Sequence, residues 1–151
     1  MVTNQQFLGK FGMPGTPEAL AHLMMWDVPF ELEIGVIPKR IFCNKVMVAP
    51  LSEAFGNLIA RGCVDELKTW DGCYNFRPIR GYEHRWKATK NVKYLSVHSW
   101  ACAVDMNAAW NGLGKEPTLS PQFVKCFTDA GFDWGGFFRR KDGMHFQLSV
   151  I

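Results

Sequence analysis

Hydrophobic positions recur at helical spacing in three stretches of the chain and alternate with polar ones in a fourth. Thr16-Pro17-Glu18 opens the first stretch. Thr16 suits a helix cap, Pro17 the first helical position, and Glu18 the positive end of the helix dipole. Leu20, Leu23 and Met24 then predict one apolar helix face, with His22 among them. A second helix is expected from about Leu51 to Arg61, burying Leu51, Phe55, Leu58 and Ile59 and stopping at Gly62. A third starts at Ser120-Pro121, buries Phe123, Val124 and Phe127, and ends near Gly131. The alternating stretch runs from Met144 to Val150, where Met144, Phe146, Leu148 and Val150 interleave with His145, Gln147 and Ser149. Shorter strands are expected within Val64–Trp70, Leu95–His98 and Ala103–Asn107. Asp27–Pro38 reads as irregular, and the polar, Gly/Pro-marked segment Arg77–Lys93 as a long loop. This order predicts an α+β fold, a small antiparallel sheet covered by helices, rather than a parallel βαβ series. No linker divides the chain.

Length and composition narrow the class. With 151 residues, 48% apolar and 21% charged, the chain is sized for one soluble globular domain. Twelve Phe and six Trp exclude general disorder. The five cysteines, Cys43, Cys63, Cys73, Cys102 and Cys126, form no C-x-x-C pair. That odd count argues against a disulfide framework or a cysteine-based zinc site. No secretory signal is visible at the start of the sequence. The longest uncharged run, Tyr94–Val104, has 11 residues, too few to cross a bilayer, so no stable membrane association is expected. Scattered basic residues with a formal net charge of +3 do not predict nucleic-acid binding; Arg139-Arg140-Lys141 is the longest basic cluster.

Candidate chemistry concentrates on two of four histidines. His22 reads as structural or superficial, and His84, between Glu83 and Arg85, as solvated. His98 is followed seven residues later by Asp105 in apolar, small-residue surroundings, an expensive place for both groups unless they share a partner. A bend near Ala101 and Cys102 would let them converge, and His145 on the last strand, pointing away from the Met144/Phe146/Leu148 face, would be a third convergent group. Two imidazoles and a carboxylate with an open fourth position form the ligand set of a catalytic zinc site. Such chemistry also needs a general base, and Asp142, across the Asp142-Gly143 turn from His145, is placed to reach it. The same residues also suit a buried His–Asp hydrogen bond, a solvated terminal histidine and an ordinary turn, and spacing alone leaves both readings open.

At these residues the sequence resembles a family. Ser96-x-His98-x-x-Ala101-x-Ala103-x-Asp105, followed by Asp142-x-x-His145, is similar to the S-x-H-x-x-G-x-A-x-D and D-x-x-H motifs of the LAS zinc metallopeptidases. These include D-alanyl-D-alanine carboxypeptidases, dipeptidases and L-alanyl-D-glutamate endopeptidases, and the resemblance points to the endopeptidases of bacteriophage endolysins. Gly72–Gly81 resembles the stretch carrying that family's active-site arginine, and His98-Ser99-Trp100, Asp105-Met106-Asn107 and Gly143–Phe146 match in order. The similarity spans about residues 40–151, implying a catalytic core there, with residues 1–39 as a helical segment packed on it in one peptidase domain.

The resemblance implies one zinc ion per chain held by His98, Asp105 and His145, with Asp142 as general base. It implies Arg77 as the group stabilising the oxyanion, with Arg80 the competing choice and a candidate for substrate binding. Trp134, beside Gly135-Gly136, is a candidate for lining the substrate groove, although core packing is the first expectation for Trp100, Trp110 and Trp134 alike. Cys102 reads as a buried small residue rather than a nucleophile or ligand. Ala101 departs from the family glycine; if the backbone there needs positive φ, alanine is strained by roughly 1 kcal/mol. The implied activity is hydrolysis of the stem peptide of bacterial peptidoglycan at the L-alanyl-D-glutamate bond by a monomeric, antimicrobial wall hydrolase. It would act from the host cytoplasm after membrane permeabilisation and lyse the cell. A D-alanyl-D-alanine carboxypeptidase and a non-catalytic zinc-stabilised binding module are the alternatives.

Overall fold

Thr3 and Gln6 form a reciprocal capping box at the start of α1 (Asn4–Phe11) in the computed structural model, which describes residues 1–151. Thr-x-x-Gln is the sequence signature of such a start, and the hydrophobic pattern alone passes over it. Thr16 caps a single turn, α2 (Pro17–Leu20), as its chemistry predicts, but the helix goes no further. Leu23 and Met24 instead belong to strand β1 (Leu23–Asp27), antiparallel to β2 (Arg40–Asn44). The expected helix face is therefore corrected to a strand. The first 39 residues hold a strand as well as helices, and that strand pairs with one beyond them.

α3 (Val48–Ala60) buries Leu51, Ala54, Phe55 and Leu58, while Ile59 remains on the exposed side, contrary to expectation. It ends as predicted at Gly62, whose φ of 69° is cheap for glycine. Val64–Glu66 is a 3₁₀ turn, and β3 is confined to Trp70–Gly72. The expected loop after Arg77 contains α4 (Glu83–Thr89), a short helix with no buried residue; without an apolar stripe it left no periodic signal. Leu95–His98 is not a strand, because Val97–Trp100 forms a 3₁₀ turn. β4 (Ala103–Met106), α5 (Pro121–Thr128, capped by Ser120) and β6 (His145–Leu148) follow expectation, with β5 (Phe132–Trp134) in addition.

The main sheet has the order β3-β4-β6-β5, and every neighbour is antiparallel. Helices cover it, so the architecture is α+β. Its core face carries Val104 and Phe146, which are register partners, and Phe146 packs against Phe123 and Phe127 of α5. α3 joins α5 through Asn57, whose amide donates to the Cys126 carbonyl at 2.9 Å. On the other side, α1 lays Phe7 against Trp100 with ring centroids 5.4 Å apart, and the Trp100 indole donates to the Gly12 carbonyl. The 3₁₀ turn that carries His98 is thus clamped by α1 from below and runs directly into β4. All five cysteines are free and buried.

Candidate metal centre and active site

Strand register builds the site. Asp105 on β4 and His145 on β6 are register partners, and opposed residues of an antiparallel pair hold their Cβ atoms about 5 Å apart on one face. His98 reaches the same point because the chain bends sharply behind it. Ala101 adopts a left-handed conformation, φ 55° and ψ 36°, and closes the 3₁₀ turn before β4 begins. The His98 and His145 rings lie 5.0 Å apart at 77°. The Asp105 carboxylate sits between them, Oδ2 3.1 Å from His98 Nε2 and Oδ1 3.3 Å from His145 Nδ1.

Each imidazole is fixed by a hydrogen bond on the nitrogen that faces away from this point. His98 Nδ1 lies 2.7 Å from the Cys73 carbonyl, which only accepts, so Nδ1 carries the proton. His145 Nε2 lies 2.9 Å from Gln147 Oε1 and donates to it. The inward nitrogens are then lone-pair donors, the arrangement that backing hydrogen bonds impose on metal-ligating histidines. His98 Nε2 and Asp105 Oδ1 are fully buried without a hydrogen-bond partner, so the close His–Asp contacts do not satisfy them. Leaving such atoms unpaired is costly, and a cation resolves the cost. Donor atoms of the three residues lie within 4.8 Å of one another. Ligands about 2.0–2.1 Å from a tetrahedral zinc ion stand about 3.3 Å apart, close to both His–Asp separations. The donor set and spacing fit zinc.

The electrostatics agree. Burial by itself would raise the Asp105 carboxyl, but the His145 and His98 imidazoles beside it outweigh burial and hold the group well below the usual carboxylate range. Burial works against a charged His145, yet the Asp105 carboxylate more than offsets this and pushes the imidazole upward. An ionised carboxylate held between two imidazoles is a centre that favours a bound cation. Asp142 behaves in the opposite sense: burial raises it, Asp105 adds to the rise, and His145, His98 and Arg77 only partly counter it.

A cavity of about 480 Å³ opens over this centre, lined among others by Arg77, Arg80, Asp105, Asp142, His145 and Gln147. A smaller one of about 120 Å³, lined by residues 71–75 with His98, shares Arg77 and Asp105 with it. The two lobes therefore meet at the centre. Arg77 is half-buried, its Nη1 donating to the Pro78 carbonyl at 3.1 Å, and its backbone is pinned by Ser96 and Ser99. Asp142 is set by backbone bonds, its amide donating to Gly135 and its carbonyl accepting from His145.

The cavity formed by the two lobes thus brings together His98 from the smaller lobe, Arg77 and Asp105 shared by both, and His145, Asp142 and Arg80 from the larger. It does not include Trp134. That indole stacks on Phe146, meets Phe137 edge-on and donates to the Gly143 carbonyl at 2.8 Å, so its role is packing beneath the Asp142 turn. Trp110 is 44% exposed with the Lys68 ammonium over its ring, which corrects the expectation of core packing; Trp100 is buried as expected. Sequence reasoning passed over Gln147, although it falls two positions from His145 on the same strand face. It could not have found the Cys73 carbonyl, a backbone group without a residue-type signal.

Residues 89–148 match a family model described as D-alanyl-D-alanine carboxypeptidase. The matched span contains His98, Asp105, Asp142 and His145 but not Arg77 or Arg80. Fold, donor set and match together support a hydrolase of the metallopeptidase class. Within that class, the match is to the D-alanyl-D-alanine carboxypeptidase family, over the part of the chain that holds these four residues. No curated protein and no solved structure matches the chain.

Proposed function

We propose that the protein is a zinc-dependent peptidoglycan hydrolase that cuts the stem peptide at the L-alanyl-D-glutamate bond. The observation that carries this reading is the pair of buried, unpartnered atoms, His98 Nε2 and Asp105 Oδ1, aimed with His145 Nδ1 at one point beside a cavity. His98, Asp105 and His145 would hold the ion. Zinc bound there supplies Lewis acidity toward the scissile carbonyl and a nucleophilic water near neutral pH.

The remaining work falls to the chain. Asp142 accepts a proton from the attacking water as its oxygen joins the carbonyl carbon, then passes that proton to the leaving amine as the C–N bond breaks. Its buried, upward-shifted carboxyl suits a group that must both take and return a proton. Arg77, shared by both lobes, donates to the carbonyl oxygen as negative charge develops. On this reading the protein works as a monomer, as the lytic enzyme of a bacteriophage, reaching the wall from the host cytoplasm once the membrane is permeabilised. No helix is long and apolar enough to cross a membrane.

The second reading, a D-alanyl-D-alanine carboxypeptidase, is favoured by the description of the matched family. Purified protein, chelated and then reloaded with zinc, is tested on outer-membrane-permeabilised Gram-negative cells and on isolated muropeptides. Turbidity falls with the zinc-loaded protein only, and a new D-glutamyl amine appears. Release of free D-alanine with the L-Ala–D-Glu bond intact replaces the endopeptidase by the carboxypeptidase. A zinc-loaded, folded protein that cuts neither bond is instead a binding module.

A further inference from the structure

The larger cavity is lined by three arginines, Arg77, Arg80 and Arg140, against two carboxylates, Asp105 and Asp142. None of the three arginines makes an ion pair; the pairs in this molecule are those of Arg40, Arg61, Lys125, Lys141 and the two site histidines. With a divalent ion balancing the two carboxylates, three positive charges are left facing the space a substrate would fill. Arg140 is also held in place. Its Nη2 donates to the Arg80 carbonyl at 2.7 Å, and its guanidinium lies 6.0 Å from the centre of the Tyr82 ring. Its Nη1 passes 3.4 Å from where a Cβ on Gly81 would stand. One hydrogen bond occupies one of five N–H donors, leaving a planar fork free to grip a carboxylate.

Arg140 and Asp142 line the same cavity, and that shared wall points to one carboxylate. Arg140 precedes Asp142 by two residues, so their Cα atoms are at most about 7 Å apart. On the proposed reading, Asp142 delivers its proton to the leaving nitrogen. In both bonds considered, the carbon bearing that nitrogen also bears a free α-carboxylate: D-glutamate continues the stem through its γ-carboxyl, and terminal D-alanine ends it. We infer that Arg140, braced by the Arg80 backbone and assisted by the Arg80 side chain, binds the α-carboxylate of the residue that supplies the leaving amine. This rests on the peptidase reading and extends it to a specificity: substrates with that carboxylate free are preferred to those in which it is amidated.

The test uses two probes, N-acetyl-L-alanyl-D-glutamate γ-methylamide with its α-carboxylate free and the same peptide as its α-carboxamide. Both are titrated calorimetrically against the zinc-loaded protein and assayed for hydrolysis. The wild type is expected to favour the carboxylate by about tenfold or more, the scale of one hydrogen bond to a charged group. Arg140→Gln brings that ratio close to one, chiefly through KM, and Arg140→Lys restores part of it. Equal binding of both probes by the wild type overturns the inference. So does an Arg140→Gln variant that weakens both probes equally, which marks Arg140 as a structural tether only. An Arg140-dependent binding preference without hydrolysis of either peptide keeps the subsite and removes the L-alanyl-D-glutamate endopeptidase reading.

Discussion

Ala101 sits in left-handed backbone where the resembling family carries glycine, and the next residues place Cys102 and β4 in the core. An L-residue there costs about 1–2 kcal/mol relative to its relaxed conformation. Replacing it by glycine relieves that strain but removes a buried methyl, worth about 0.8 kcal/mol, and adds freedom to the unfolded chain. These effects nearly cancel, so Ala101→Gly is expected to change stability by less than about 1 kcal/mol. Ala101→Val adds a β-branched side chain at positive φ in a fully buried position, and a loss above about 2 kcal/mol is expected. Urea denaturation of both variants measures this. The same scale explains why the histidines were legible as candidates and their tautomers were not. Residue type and spacing mark His98 and His145, whereas the proton on each ring is placed by Cys73 and Gln147, partners that only folding selects.

The segment from β5 to β6 shows how an element can hold a catalytic candidate without touching substrate. Gly135 lies so close to the Asp142 turn that a Cβ there would collide with the Asp142 carbonyl and press on its side chain. Gly135→Ala is therefore expected to displace Asp142 and lower hydrolytic activity at least tenfold. Zinc stoichiometry should stay at one per chain, because His98, Asp105 and His145 sit on β4, β6 and the turn before β4. Loss of bound zinc in this variant would show that the turn supports the ligands as well. The Gly135-Gly136 pair was visible in the sequence but suggested a groove beside Trp134. Its use, a close approach between segments seven residues apart, belongs to the tertiary fold.

At the scale of the molecule, burial governs the thiols. Cys43 is buried and its thiol is pushed up to about 11 by desolvation. An unfolded chain releases that proton near 8.5, while the folded one keeps it. Below about pH 8.5 both states hold the proton and the contribution to stability is fully present; it is lost as pH rises from there to about 11. Stability is thus expected to fall over that window in zinc-loaded protein, and Cys43→Ala should reduce the slope. At pH 8 a thiol-specific reagent should react with the five cysteines only after denaturant is added, since all five are buried and free.

Local chemistry acting over a few residues was readable from the chain by itself. The caps at Thr16 and Ser120, the apolar faces of α3 and α5, the stop at Gly62, and β4 and β6 all follow from neighbours in sequence. So do the candidate ligands, whose types and order carry the family resemblance. Tertiary structure decided where local signals were weak or ambiguous. Leu23 and Met24 satisfy a helical pattern but gain more by pairing with Asn44 and Cys43 on the distant strand β2. His145 and Gln147 alternate with apolar residues as a solvent-facing side of a strand would, yet both are buried in the fold. Asp105 opposite His145 is a matter of strand register, and register is set by which face of β4 and β6 meets the core. The candidate ligands were written in the sequence; their common focus exists only because burying Val104 and Phe146 together turns Asp105 and His145 toward His98.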